Sequence, residues 1–191
     1  MPNYVHGNIE FSDVSAIVTQ MEQGGSDRDV CILAGTLLEN ALRRHLEKFI
    51  YKNSIFTGKD LWGPGQPLGT FSAKIEVARA FGLIHDVNYV ALHRIKKIRN
   101  HCAHSLGVSN AETVSLEADP IRGWLLDLFS EQLLQKLPKE TAEKVRESHK
   151  NAVENEPRII FKAYVWQMCL EWLSDWDEKT TYGLLVPKDI G

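Results

Sequence analysis

Residues 30–51 read VCILAGTLLENALRRHLEKFIY, and the spacing of their apolar side chains decides the fold class. On a helix, Val30, Leu33, Ala34, Leu37, Leu38, Ala41, Leu42, Leu46 and Phe49 cover more than half of the circumference. A helix apolar over so wide an arc must be surrounded by others, so it is predicted to be central. Ser26 and Asp27 supply capping side chains at its start.

Working outward, GKDLWGPGQPLGT (58–70) holds four glycines and two prolines in thirteen residues and is predicted to be a loop. It lacks a Gly-Lys-Ser/Thr ending and a preceding apolar strand, so it reads as a connection and not as a phosphate-binding loop; Thr70 stands at an N-cap position. A helix over FSAKIEVARAFG stops at Gly82, and Asp86 opens another, VNYVALHRIKKIRNHCAHSL. Asp119 and Pro120 stand where DPIRGWLLDLFSEQLLQKL would begin, with Pro138 closing that pattern. The charged run KETAEKVRESHKNAVENE reads as a solvated helix or a connector. No period-two strand pattern and no internal repeat stands out, so the expected class is all-α, a single-domain helical bundle. Its expected extent is 26–180, with an N-terminal segment 1–25 and a C-terminal tail 181–191.

PRIIFKAYVWQMCLEWLSDW (157–176) is apolar on two adjoining faces. One carries Ile159, Ala163, Trp166, Leu170 and Leu173; the other carries Phe161, Val165, Met168, Trp172 and Trp176. Two partners are needed for so wide an arc. Either the helix is sandwiched in its own domain, or Phe161, Trp172 and Trp176 form a partner interface compatible with a homodimer.

The chain has 191 residues and a formal net charge of -3, which argues against a general nucleic-acid coat or a polybasic membrane binder. Its three cysteines, Cys31, Cys102 and Cys169, are widely spaced within apolar helical patterns and read as reduced core residues. No secretory leader and no long apolar run is seen, so a cytoplasmic protein without a membrane span is expected.

The chemistry gathers in IRNHCAH (98–104). Val87, Ala91, Ile95, Ile98, Cys102 and Leu106 form a buried stripe, and Arg99 falls inside the same arc. A guanidinium there needs a partner, and Glu39 on the edge of the central helix is the candidate for an ion pair. Asn100 and His104 share the opposite face with His93 and Lys97, and His101 lies between the faces. Four readings stand side by side. His93, His101 and His104 could bind a metal, although no nearby Asp or Glu accompanies them on the helix and no metal or cofactor is expected. Asn100 and His104 could do acid–base chemistry in a cleft. All of these side chains could be structural, or KIEVARAFGLIHDVNYVALHRI could be a helix-turn-helix. The last reading fails at Asn88, where such motifs carry Val or Ile, and Arg94, Lys96 and Lys97 scatter around the wheel. Direct DNA binding is therefore not expected.

PLGTFSAKIEVARAFGLI, then LHRIKKIRNHCAHSL, resembles the signature region of the mannitol operon repressor family of bacterial proteins, and LLENALRRHL fits that family's first long helix. The resemblance covers about residues 26 to 135. It implies an all-helical repressor of a sugar-alcohol uptake operon, acting through a regulatory protein partner and not through a standard DNA-binding motif. IRNHCAH also resembles the Arg-x-x-x-x-His motif of the HEPN superfamily. That resemblance implies a metal-independent ribonuclease working at a dimer interface: Arg99 would stabilise phosphate charge, His104 would act as base or acid, and Asn100 would orient them. The first of these expectations, a regulator and not an enzyme, is preferred.

Overall fold

The computed structural model describes residues 19, 21, 25–53, 61–104, 114–128 and 134–173. Six helices are numbered here in chain order: α1 Asp27–Asn53, α2 Phe71–Ala80, α3 Asp86–His104, α4 Ile121–Leu126, α5 Lys139–Asn155 and α6 Pro157–Leu173. Among the described residues there is no strand, and the class is an all-α bundle. No helix among them is long and apolar enough to cross a membrane.

The start of α1 is set by a reciprocal cap. Ser26 Oγ accepts from the Asp29 N–H (3.2 Å), and Asp29 Oδ2 accepts from the Ser26 N–H (3.0 Å). The Ser26 hydroxyl, which donates to Asp29 Oδ2 at 2.8 Å, and then the Ser26 N–H hold the Asp29 carboxyl below its ordinary pKa. Asp27, the first residue of the helix, accepts from the Leu116 N–H at 2.9 Å and ties the segment before α4 to the bundle.

As its wide apolar arc requires, α1 packs against α2, α3 and α6. Val30, Cys31, Ala34, Leu37, Leu38, Ala41, Leu42 and Leu46 are buried along it. Cys31, Cys102 and Cys169 are free thiols in this interior; burial pushes the Cys169 thiol up to about 12.

The loop before α2 ends at Thr70, whose hydroxyl accepts from the Ala73 N–H at 3.1 Å. The helix closes at Gly82, whose φ of 69° is the left-handed conformation that a glycine adopts without strain.

Gly35 on α1 has a different task. A Cβ built there would lie 2.5 Å from Cγ and 2.7 Å from Cβ of Arg99, so the missing side chain is what lets α3 approach α1 at this level. Gly35→Ala gains about 1 kcal/mol of helix propensity. Forcing the helices apart costs roughly 1–3 kcal/mol. A net loss of about 1 kcal/mol is expected in urea melts; a stabilised variant would mean that Arg99 moves aside freely.

One segment differs from expectation, and another takes one of its two expected forms. The pattern from Pro120 to Leu137 is not one described helix: α4 covers Ile121–Leu126 and ends in a tightened turn, with Leu128 N–H donating to Leu125 O at 3.1 Å. Its N-cap is Pro120, and no side chain caps it. The charged run is a solvated helix, α5, which turns only Ala142 and Val153 fully inward.

The largest correction concerns α6. Phe161 (0% exposed), Val165, Met168 and Trp172 (2% exposed) belong to the chain's own core, so Phe161 and Trp172 are not on a surface that a partner can reach. The expected interface placed on them is replaced by packing against α1, where Trp172 stacks on His45 with ring centroids 6.4 Å apart. Desolvation there lowers the His45 pKa. Trp176, the third residue of that expectation, lies outside the described residues. The outward side of α6 carries Ile159, which is 53% exposed.

Candidate functional site

Arg99 and His104 project to different places. Arg99 Nη1 donates to Glu39 Oε2 at 3.2 Å, across the α1–α3 contact that Gly35 permits. The guanidinium carbon stands 5.5 Å from the centroid of the Phe71 ring, so the planar group is laid on an aromatic face as well as paired. It is partly buried, with 24% of the side chain exposed.

A third member of this cluster was not anticipated from the sequence. Lys74 on α2, 4% exposed, donates to Glu39 Oε1 at 2.7 Å. Each Glu39 oxygen thus serves one cation, and the carboxylate links three helices. The only sequence signal for Lys74 is a lysine within the apolar arc Phe71, Ile75, Ala78 that α2 turns inward.

On the other side of α3, Asn100, His101 and His104 line an open cleft with His93 and the three cations Arg94, Lys96 and Lys97. Trp124 from α4 forms the facing wall, and the cavity measures about 550 Å³. The expectation that the cations scatter is corrected here. Lys96 and Arg94 flank the Lys97 position on the wheel; the Lys96 ammonium reaches Ser72 on α2 and the Arg94 guanidinium reaches Asp127, and all three side chains line the one cleft. Trp124 gives the sequence no clue to this role, because its approach to α3 depends on how α4 is docked.

The cleft is ordered by specific contacts. Lys97 Nζ sits 4.3 Å above the Trp124 ring, and His101 meets the same ring edge-on with centroids 5.5 Å apart. Lys96 Nζ donates to Ser72 Oγ at 2.7 Å. At the rim, Arg94 lies 3.2 Å from Asp127, and His93 lies 3.1 Å from Glu76 and packs edge-on to Tyr89. Asn88, the residue at odds with a helix-turn-helix, donates to Glu171 on α6 at 2.9 Å; it holds α3 against the bundle. Among the described residues, no group of three His, Cys, Asp or Glu side chains is arranged to hold a metal ion.

These positions yield two separate units. Glu39, Lys74 and Arg99 form a charge cluster locked between helices. Asn100, His101 and His104 face solvent in a basic, aromatic-walled cleft whose lining does not include Arg99. Arg99 and His104 thus belong to different units.

No protein-family model and no curated protein matches the chain. Among solved structures, it is similar to a chain of the X-ray structure of the MtlR–HPr complex from Escherichia coli, with a TM-score of 0.57 and 16% sequence identity. The match spans 82% of this chain and 98% of that one. At this identity the likeness concerns the fold, and by it the chain has an MtlR-like helical bundle.

Proposed function

We propose that this protein is a transcriptional regulator of a sugar-alcohol operon, a repressor of the mannitol operon type, that acts by binding a regulatory protein and not by reading DNA itself. The observation that carries this reading is the near-complete coverage of a chain from the MtlR–HPr complex, which agrees with the family resemblance of residues 26–135. A fold hosts many functions, so the proposal rests on both together. The failed helix-turn-helix points the same way: Asn88 is committed to Glu171, and Ala91, Leu92, Ile95, Ile98 and Cys102 are buried between neighbouring helices.

The test is a titration of the purified protein with HPr from the same cell, alongside a promoter-DNA shift. Saturable binding to HPr and no DNA shift at physiological salt are expected. A sequence-specific shift that survives that salt without HPr would overturn the protein-contact mechanism, because nonspecific phosphate contacts weaken steeply with salt.

We further propose that the protein is not a ribonuclease of the HEPN type. Arg99 is engaged by Glu39 and stacked on Phe71, so the arginine of the Arg-x-x-x-x-His motif is not free to stabilise phosphate charge beside His104. Labelled single-stranded RNA is expected to stay intact with wild type. Cleavage lost in His104→Ala would make the cleft an active site.

A further inference from the structure

We propose that the cleft between α3 and α4 binds a phosphomonoester, the phosphate held by Lys96, Lys97 and Arg94 and the organic body laid along Trp124. This inference is independent of which protein the chain contacts.

The first argument is charge. The chain carries a net charge of -3, yet this cleft is lined by three Lys and Arg side chains and no Asp or Glu. The carboxylates that approach it stand at the rim, Asp127 on Arg94 and Glu76 on His93. Both are more than half exposed, so they neutralise the interior weakly. The two lysines have neutral partners: Ser72 holds Lys96, and Trp124 lies under Lys97. Among the described residues, no carboxylate pairs with either. Cations gathered in a concavity repel one another and raise the local potential until an anion covers them.

The second argument concerns shape. A cavity of about 550 Å³ falls in the range of small-molecule sites and far exceeds a bare phosphate. Trp124 is fixed by Lys97 on its face and His101 at its edge, so the wall is in place before a ligand arrives. Lysine ammoniums act on phosphate as point charges with several donors each, while Arg94 can offer a planar pair of N–H groups once it leaves Asp127. A monocarboxylate would leave most of this charge uncovered, whereas a phosphate dianion matches it.

The experiment is calorimetric titration with ribose 5-phosphate, ribose, inorganic phosphate, a short phosphoserine peptide, an unphosphorylated acidic peptide and an oligonucleotide, on wild type and a Lys96→Gln/Lys97→Gln variant checked for folding by circular dichroism. Saturable binding of ribose 5-phosphate, none of ribose, and at least tenfold weaker binding to the folded variant are expected. Tighter binding of the peptide than of the sugar phosphate would support the same site and assign the phosphate to a protein-borne source. No saturation by any phosphate below roughly 10 mM, or equal affinity for the variant, would overturn the proposal. So would tighter binding of an unphosphorylated acidic peptide or of an oligonucleotide. If the variant misfolds, Trp124→Ala takes its place, with the same tenfold weakening expected for ribose 5-phosphate but a smaller change for inorganic phosphate.

Discussion

Glu39→Ala is expected to destabilise the protein by about 3–5 kcal/mol, more than the loss of either of its cationic partners. Removing the carboxylate leaves the Lys74 ammonium, 4% exposed, without a counter-charge. An uncompensated buried charge typically costs about that much. Arg99→Ala is milder, about 1.5 kcal/mol for a charged hydrogen bond, because Glu39 keeps Lys74 at 2.7 Å and Arg99 itself is 24% exposed. The sequence alone, with Arg99 taken as the only partner of Glu39, would place that cost higher. Urea melts of the two variants at neutral pH test the order. An Arg99→Ala loss equal to or above that of Glu39→Ala would show that Lys74 finds another partner. Glu39→Leu combined with Lys74→Leu is expected to recover much of the deficit, since apolar packing can replace a buried ion pair.

Trp172→Ala is expected to cost about 3–5 kcal/mol and to leave the mass of the folded species unchanged. Its indole is 2% exposed, stacked on His45 and surrounded by core residues of α1 and α6, so truncation opens a cavity that rigid helices fill only in part. The alternative origin of an apolar Trp172, a face awaiting a second subunit, predicts the opposite pair of results. A loss below about 1 kcal/mol together with a drop in mass by light scattering would place the residue on an interface. Melting and scattering should therefore be run on one preparation.

Both predictions bear on which features could be read before the fold was known. The helices at 27–53, 71–80, 86–104 and 157–173 follow from apolar periodicity and from punctuation by Ser26, Thr70, Gly82 and Asp86. The inward stripe of α3 was legible for the same reason. So was the need of Arg99 for a carboxylate, because a guanidinium within an apolar arc implies a partner whatever the surrounding fold. The reading failed where two helices had to be placed relative to one another. On α6, one apolar face meets α1 and the adjoining one reaches solvent at Ile159, yet on a wheel the two look alike.

By itself, then, the sequence determined the class of the fold, the helices that carry it, the azimuth of each side chain on its own helix, and Glu39 as the candidate partner of Arg99. Only the tertiary structure decided that Lys74 completes the cluster, that Trp124 closes a cleft over Lys96 and Lys97, and that Phe161 and Trp172 face inward. The physical reason lies in what periodicity encodes. It fixes a direction around one helix axis, whereas a contact between helices depends on crossing angle and approach. Here that approach is set by the absent side chain of Gly35 against Arg99, a steric fact shared between two segments and contained in the pattern of neither.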